Sequence, residues 1–448
     1  MPNLFTVDES SFQKPKSRVA ALIAYKTAAD AAAKVSLFVI TVVAARRLTP
    51  AAFGTFALGS TVGWMAAVGA DFGMQMHLAR AVARAPHQAG RLLGSWLRVR
   101  VWTAAAALAV VMLGLAGARS SADVAEPIVV LALVYAASGL VEFLHYFYRG
   151  LSRSDIESSL TMWQRAATLA CGLLALAWRP TVGTLAVAML IPVVATLAVS
   201  LAVASRLAAA GCVARPFRAD EPHATVEVAS DNTAARDALA RVFRHDVAPI
   251  GVGIVLSALY FRVDVFLVQL WAGTESVGLY NAVFRVIEGL RLFPAAALAV
   301  ALPALCRARD LRPLFRASLG VVAFASLVTA LAWPVADVLI PTLFGEPYRA
   351  AVPAFQILLL AFPLLSLNYA MTQQLIARDG QHAYAGICAI ALATNVALNA
   401  RLIPTLSIDG AAWATLGTEL VVTAGCTIAL ATTRNAIVDR MAGDRMIA

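Results

Sequence analysis

Three charged residues interrupt the first apolar stretch of the chain at a regular spacing. Lys26, Asp30 and Lys34 follow one another every four residues. At about 100° per residue, this spacing places the three side chains within roughly 80° of one another on an α-helix. An ionisable group in hydrocarbon costs about 2.5 to 3.5 kcal/mol, so the stripe is expected to face a bundle interior or a wet cavity. The pattern favours a transporter, and an ion-paired structural stripe is the alternative.

Two later apolar stretches also contain charged residues. Arg262 and Asp264 lie in one, and Arg285, Glu288 and Arg291 lie in the next. At about 1.5 Å of rise per residue, Arg262, Asp264 and Arg285 are expected at the membrane depth of the last lysine of the first stripe. A cavity between the parts of the chain that contain these stretches would be lined by their charged side chains.

Such a cavity would be positively charged. The candidate substrate-binding cations are Lys26, Lys34, Arg262, Arg285 and Arg291. The candidate acids for charge pairing or ion coupling are Asp30, Asp264 and Glu288. A cationic cavity suits an anionic substrate, and the planar fork of arginine suits phosphate. The acids either pair with the cations or bind the H⁺ or Na⁺ that drives turnover, and no cofactor is indicated.

Arg262 and Asp264 cannot both face one cavity from a regular helix, because residues two apart point about 200° apart. We therefore expect Arg262 to point toward the cavity and Asp264 toward a neighbouring helix, with Arg285 as its candidate partner.

The composition is that of a polytopic membrane protein. The chain has 448 residues, of which 60% are hydrophobic and 14% charged, whereas soluble domains have about 25% charged residues. Its mean hydropathy is +0.76. The first eighteen residues are polar and are not followed by a cleavage pattern, so a cleaved signal peptide is not expected. The five cysteines are scattered and indicate neither a disulfide framework nor a zinc site.

Cutting the sequence at charge clusters and turns predicts an all-α fold with about twelve transmembrane helices in two six-helix bundles around a central cavity. The predicted spans lie near 19–44, 53–75, 92–117, 126–147, 160–178, 182–204, 247–271, 277–304, 317–340, 352–376, 383–403 and 410–432.

The distribution of Lys and Arg predicts that both termini are cytoplasmic. With that orientation, 22 of the 36 lie in cytoplasmic segments, 6 in external loops and 8 in the spans. This positive-inside bias also accounts for the net charge of +10, so a nucleic-acid partner is not indicated.

A polar segment divides the chain into two halves. We expect a cytoplasmic segment at 1–18, a bundle at 19–204, a cytoplasmic linker at 205–246, a second bundle at 247–432 and a cytoplasmic tail at 433–448. The second spans of the two halves open similarly, with Phe53-Gly54-Thr55-Phe56 and Val277-Gly278-Leu279-Tyr280. Related halves of this kind place a substrate site at their interface near mid-membrane.

An enzyme is disfavoured. No GxxxxGK[ST], HExxH or GxSxG pattern occurs, and the predicted external loops are too short for the outer domain expected of a membrane glycan polymerase or ligase. Of the other charged residues, Asp71 is expected to be structural, and Arg100 is expected to extend toward a membrane surface.

Several short motifs, in order along the chain, resemble those of one transporter family. They are Ala44-Ala45-Arg46-Arg47-Leu48-Thr49-Pro50 with Phe53-Gly54-Thr55-Phe56, Gly69-Ala70-Asp71-Phe72-Gly73, Ala79-Arg80, Arg262-Val263-Asp264, Val277 to Ala282, Pro303, Leu343-Phe344-Gly345, Asn399, Ile403-Pro404 and Asp409 to Ala412. Together they resemble the Wzx-type polysaccharide (O-antigen) flippases of the multidrug/oligosaccharidyl-lipid/polysaccharide (MOP) exporter superfamily.

The resemblance implies a flippase that moves a polyprenyl-diphosphate-linked oligosaccharide to the outer leaflet by alternating access, coupled to an ion gradient. It implies a role in O-antigen, lipopolysaccharide or exopolysaccharide synthesis in the bacterial inner membrane, with polymerase and chain-length proteins as partners. The cavity cations would then bind the diphosphate.

Three alternatives stay open at this point. The lipid II flippases usually have fourteen spans, whereas twelve are predicted here. The multidrug cation antiporters share the architecture but should prefer an acidic cavity. A membrane polymerase or ligase acting on the same lipid-linked sugar ranks third.

Overall fold

The computed structural model describes the backbone of residues 16–118, 121–209, 248–294, 312–377 and 380–447. Side chains are described for residues 32–118, 121–209, 251–294, 318–375, 380 and 382–432. The described backbone is helical and contains no strand.

The helices of the first half are α1 Lys16–Arg47, α2 Pro50–Asp71, α3 Met74–Arg84, α4 Ala89–Gly117, α5 Ala122–Gly150, α6 Ser154–Trp178 and α7 Val182–Ala209. Those of the second half are α8 Ala248–Leu290, α9 Arg312–Ala332, α10 Ala336–Phe344, α11 Val352–Ala377 and α12 Gln381–Ile447. Short 3-10 turns lie at Pro86–Gln88 and Glu346–Ala351.

Helix lies in each of the twelve predicted spans, and residues 295–304 of the span predicted at 277–304 lie outside the described residues. Eight helical segments in the described chain are long and apolar enough to cross a membrane. Two of these, α8 and α12, are each broken at one non-helical residue, Gly273 and Ser407, so each has two helical arms. Helices α9 and α10 are together apolar enough for one further span across a bend of 84°, and the 32 residues of α1 cover the span predicted at 19–44. The predicted all-α fold is confirmed, but the stretch predicted as one span at 317–340 is broken between α9 and α10.

Local signals set both ends of α2. The Thr49 side chain caps the first turn by accepting a hydrogen bond from the backbone N–H of Ala52 at 3.2 Å, and Pro50 follows at the first helical position. The helix ends after Asp71 because Phe72 and Gly73 adopt left-handed backbone angles, with φ of 44° and 83°. The chain then turns into α3, a short helix that the sequence analysis did not predict.

Asp71 joins this turn to α4. Its carboxylate accepts hydrogen bonds from the backbone N–H groups of Gly73 at 3.1 Å and Gln75 at 3.3 Å. The Arg100 guanidinium lies 3.8 Å from the same carboxylate, and this side chain is only 1% exposed. The structural role predicted for Asp71 is confirmed. The expected extension of Arg100 toward a membrane surface is wrong, because its counter-charge lies inside the bundle.

Each half packs mainly against itself. In the first half α2 and α7 pack on α5 and α1 packs on α6, while in the second half α12 packs on α8 and α11. The two halves meet chiefly where α2 packs along α8, with smaller contacts from α1. We call the Pro50 end of α2 the outer end, since the charge distribution predicts that it faces away from the cytoplasm.

Glycines allow α2 and α8 to touch backbone to backbone at the outer end. A Cβ atom on Gly54 would lie 1.8 Å from the carbonyl oxygen of Thr274, and one on Gly278 would lie 2.2 Å from that of Pro50. The two glycine-containing motifs that open the second span of each half are therefore packed against each other. Buried side chains of both halves, including Phe53 of α2, surround this crossing in one continuous apolar core.

A second close contact joins the same helices at the inner end. A Cβ atom on Gly251 of α8 would lie 2.4 Å from Cδ1 of Phe72. The left-handed turn after α2 thus brings Phe72 against the start of α8. Helices α2 and α8 are in contact at both ends.

The predicted segment boundaries fall partly outside the described residues. Residues 205–209 of the predicted linker belong to α7, and the rest of it up to residue 247 lies outside the described residues. Residues 1–15 of the amino-terminal segment also lie outside them, whereas residues 433–447 of the predicted tail continue α12 as helix.

Gly54→Ala should destabilise the protein, because the new methyl group meets backbone atoms that cannot rotate away. We expect a loss of about 1 to 3 kcal/mol, seen as a lower melting temperature in detergent. Gly69→Ala is the matched control on the same helix, since a Cβ atom there meets nothing within 4 Å. Equal melting temperatures for the two variants would contradict the proposed helix crossing.

Candidate functional site

A cavity of about 630 Å³ lies between the two halves, on the inner side of the glycine crossing. It is bounded by α2 and α3 of the first half and by α8, α11 and α12 of the second. Along α2 and α8 it occupies the stretch between the outer Gly54 contact and the inner Phe72 contact. The predicted cavity between halves is therefore present.

Two arginines, one from each half, line this cavity. Arg80 lies on α3, and Arg291 lies just after the last turn of α8. The Arg291 guanidinium sits over the ring of Phe261, with 4.9 Å between the guanidinium carbon and the ring centroid. Glu419 is the acidic residue that lines the same cavity in the described part of the chain. Of the predicted cations, Arg291 lines the cavity, and Arg80 is an additional cation that was not predicted.

Arg80 was not among the predicted site residues. Helix α3 buries Met74, Leu78 and Val82 on one face, and this spacing of four residues leaves Arg80 on the exposed face. The amphipathic pattern was a usable signal, but the stretch was assigned to the loop that follows the second span.

The rest of the cavity wall is rich in aromatic side chains. Trp64, Tyr260, Phe261, Tyr369 and Tyr384 all line it. Aromatic rings with a polar edge combine a flat apolar face with a hydrogen-bonding group. The wall can thus contact an uncharged polar group such as a sugar, while the arginines contact an anion.

Arg262, Arg285 and Glu288 form one ion-paired cluster beside the cavity. The Glu288 carboxylate accepts a hydrogen bond from Nη2 of Arg262 at 2.5 Å and another from Nη1 of Arg285 at 2.8 Å. The side chains are 8%, 22% and 18% exposed for Arg262, Glu288 and Arg285. One carboxylate therefore bridges two arginines in a site with little access to solvent.

Arg262 does not line the cavity, so the direction predicted for its side chain is wrong in this conformation. Its guanidinium carbon lies 5.3 Å from the ring centroid of Phe261 and 5.1 Å from that of Phe284. A charge held between rings and bonded to Glu288 is better compensated than one left without a partner.

Asp264 points toward neighbouring helices, as predicted, but its partner is not Arg285. The Tyr280 hydroxyl donates a hydrogen bond to Asp264 at 2.7 Å and lies 3.2 Å from the hydroxyl of Thr415 on α12. The backbone N–H of Val265 donates to the other carboxylate oxygen at 2.8 Å. Arg285 is bonded to Glu288 instead, because that carboxylate lies only three residues along the same helix.

Glu419 is a second buried acid of the site. Its carboxylate accepts hydrogen bonds from the Tyr260 hydroxyl and from Nδ2 of Asn368, the latter at 2.7 Å. Asn368 is fixed in turn by the Thr423 hydroxyl, which donates to its side-chain oxygen at 2.8 Å. From the sequence, Glu419 fitted a local hydrogen-bonding group as well as a site residue, and it was not among the predicted site residues.

A small cavity lies between these two acids. It has a volume of about 20 Å³, and both Asp264 and Glu419 line it, together with the neutral side chains of Asn395, Thr415 and Thr418. This volume accommodates about one water-sized species. Two carboxylates and several neutral oxygens around such a space suit a proton or one small cation.

The first charged stripe is only partly described. Lys34 is exposed on α1 and does not line the large cavity. Lys26 and Asp30 lie on the helical backbone of α1, and their side chains lie outside the described residues.

Comparison with known proteins identifies the family and the fold. The sequence matches the family described as polysaccharide biosynthesis protein over residues 20–309. No curated protein sequence matches the chain. The structure is similar to that of the lipid II flippase MurJ in an inward closed conformation, with a TM-score of 0.70 and 12% identity over 90% of this chain and 87% of that chain.

Multidrug transporters have a similar fold. An inward-facing multidrug resistance MATE family transporter of the MOP superfamily aligns with a TM-score of 0.57 and 13% identity over 92% of this chain and 94% of that chain. A MOP superfamily transporter from Pyrococcus furiosus, described as having a binding pocket of reverse polarity, aligns with a TM-score of 0.54 and 15% identity over 92% and 93%.

The family match covers well over half of the chain, and the structural matches extend over both halves. The motifs along the sequence agree with the family match. The helical fold with a cavity between its halves agrees with the structural matches. The chain therefore belongs to the polysaccharide biosynthesis protein family and has the fold of the MOP superfamily transporters.

Proposed function

We propose that this protein flips a polyprenyl-diphosphate-linked oligosaccharide from the cytoplasmic to the outer leaflet for surface polysaccharide synthesis. The observation that carries the proposal is the cavity between the halves, which is closed at its outer end and lined by one arginine from each half. The expected products are O-antigen, lipopolysaccharide or exopolysaccharide. The site of action is the bacterial inner membrane, with both termini cytoplasmic.

The diphosphate is the part of the substrate that the arginines bind. Arg80 and Arg291 reach the cavity from opposite halves, so one anionic head group between them contacts both halves at once. Arginine binds phosphate oxygens through paired N–H donors. Binding of the head group would therefore hold Arg80 of the first half and Arg291 of the second half close to each other.

The sugars and the lipid have separate places in this proposal. The cavity volume of about 630 Å³ is within the usual range for ligand sites, and its aromatic wall suits sugar rings. The polyprenyl chain remains in the bilayer. The polymerase and chain-length proteins that use the flipped product are the expected partners.

A multidrug cation antiporter fits this cavity less well. Among the described residues, the charged ones that line it are Arg80, Arg291 and Glu419. Both carboxylate oxygens of Glu419 are already hydrogen-bonded, by Tyr260 and Asn368. A cationic drug would therefore meet two arginines and a single carboxylate that already accepts two hydrogen bonds.

Arg262 and Arg285 are proposed as a second set of diphosphate ligands. In this conformation Glu288 bonds both of them, so they become available when the carboxylate is displaced by phosphate. Lys26 and Lys34 on α1 are proposed as further cations along the route. Asp30 and Glu288 keep their proposed role as charge partners.

Ion coupling is proposed at the small cavity in the second half. Asp264 and Glu419 are the acids that would exchange H⁺ or Na⁺, because both line that cavity and neither is ion-paired to a described residue. Taking up or losing a positive charge there would change the packing of α8 against α12. No further cofactor is proposed.

The test of the proposed function uses the host bacterium with this gene deleted. Spheroplasts are treated with a membrane-impermeant glycosidase, and the lipid-linked oligosaccharides are then extracted. We expect repeat units that accumulate and remain protected, because they stay in the inner leaflet. Accumulated units that are digested would assign the defect to a later polymerase or ligase step. An unchanged pool with new sensitivity to cationic drugs would assign an antiporter.

Replacing both cavity arginines should abolish transport. Each charge-assisted contact to phosphate contributes about 1.5 to 3 kcal/mol, so Arg80→Gln or Arg291→Gln alone should weaken substrate binding about tenfold or more. The measurement is the rate at which repeat units become accessible to the glycosidase in the complemented deletion strain. Arg84→Gln is the matched control, since Arg84 lies one turn further along α3 and does not line the cavity. Full activity of the double variant would exclude the proposed site.

Glu419→Gln should remove the response of transport to the ion gradient. Glutamine keeps the size and can retain hydrogen bonds to Tyr260 and Asn368, but it cannot carry the charge. The flipping rate is compared with and without an ionophore that collapses the gradient. Glu275→Gln, at an exposed position on α8, serves as the control. A Glu419→Gln protein that still slows when the ionophore is added would remove Glu419 from the coupling site.

A further inference from the structure

Arg46 connects the two halves at the outer end of the molecule. It lies in the last turn of α1, and its Nε donates a hydrogen bond to the backbone oxygen of Leu343 at 2.8 Å. Its Nη2 donates to the backbone oxygen of Thr342. The acceptors lie almost 300 residues away in the chain, at the end of α10 in the other half.

These carbonyl oxygens need donors because α10 ends there. The last four carbonyl groups of a helix have no partner within the helix, and they form its negative end. The backbone N–H of Gly345 donates to Pro341 at 2.8 Å, and the backbone then turns away with a φ of 104° at Gly345. Arg46 of the other half supplies the donors for the next two carbonyls, Thr342 and Leu343.

The Arg46 contact lies at the edge of the apolar contact that closes the outer end. Ala44 and Leu48 next to it are buried in the same core as Phe344 of α10. Phe53 of α2 packs edge-on against Tyr348, with 6.1 Å between ring centroids. Arg46 itself remains exposed, so water can reach its guanidinium.

The outer gate is the contact of Arg46 and Phe53 in the first half with Thr342, Leu343 and Tyr348 in the second. We propose that Arg46 is a positioning residue that holds this gate closed, and that the gate opens when Arg46 leaves the end of α10. The proposal rests on the proposed function, in which the two halves separate at the outer end to release the flipped substrate. The glycine crossing offers close packing but no hydrogen bond, whereas Arg46 adds two charge-assisted bonds between elements that must separate. When the halves separate at the outer end, water replaces the Arg46 donors and the α10 carbonyls face solvent.

The test measures how often the outer gate opens, and it needs no substrate. Ala57 is 2% exposed, lies one turn from Gly54 on α2, and belongs to the core shared by the two halves. Ala57→Cys is introduced into a protein whose five native cysteines are replaced, and the rate of modification by a membrane-impermeant maleimide is measured in spheroplasts. Opening of the gate exposes this cysteine to the outside.

Arg46→Ala should raise the modification rate about tenfold, because two charge-assisted hydrogen bonds are lost. Arg46→Lys keeps the charge but not the planar fork, so it should give an intermediate rate and serves if the alanine variant does not fold. Arg47→Ala is the matched control, since Arg47 is the adjacent exposed cation at the same helix end. Equal rates for Arg46→Ala or Arg46→Lys and the parent protein would overturn the proposal.

This readout separates the gate from the proposed function. If Arg46→Ala raises the modification rate but the protein moves no lipid-linked oligosaccharide, the role of Arg46 in the gate is supported and the proposed substrate is excluded. If the protein flips the substrate but its modification rate does not change when Arg46 is replaced, the proposed function is supported and the role of Arg46 in the gate is excluded.

Discussion

The backbone contact of α2 with α8 at Gly54 and Gly278 is the constraint on which the arrangement of the molecule depends. Without side chains at these two positions the helices approach closely enough to close the outer end, and the apolar core then extends across both halves. The space left between the halves lies on the inner side of that contact. The place where these two helices meet therefore determines the position of the cavity and the residues that line it. It also determines that the outer end must open for transport.

The charged residues are distributed according to how much water each position allows. Where the bundle is dry, the charges are paired, as in the bridge from Arg262 through Glu288 to Arg285 and in the contact of Asp71 with Arg100. Where the cavity provides space, Arg80 and Arg291 remain available to a ligand. An ion pair inside a membrane protein is costly to form and more costly to break by removing one partner. A phosphate that replaces the Glu288 carboxylate would exchange one anion for another, which keeps both arginines compensated throughout a transport cycle.

Hydrophobicity was sufficient to predict the helical class and the presence of many apolar spans, because these depend on local composition and on the length needed to cross a bilayer. The direction of individual side chains was not predictable in the same way. Arg262 points toward Glu288 rather than toward the cavity. Glu288 is 26 residues away in the sequence, and the fold of α8 brings it beside Arg262. Arg80 reaches the cavity because α2 ends at a left-handed turn and α3 begins there, and a count of apolar residues contains no information on such a turn. The bend between α9 and α10 was missed for the same reason.

Flipping of the substrate can be measured on the purified protein, without any other component of the cell. The protein is reconstituted into liposomes that contain a polyprenyl-diphosphate-linked oligosaccharide, and an impermeant glycosidase reports the fraction exposed on the outer surface over time. We expect the inner-leaflet half of the substrate to become accessible in liposomes with the protein and to stay protected in liposomes without it. Substrate that remains protected while the same liposomes transport a cationic dye would contradict the account.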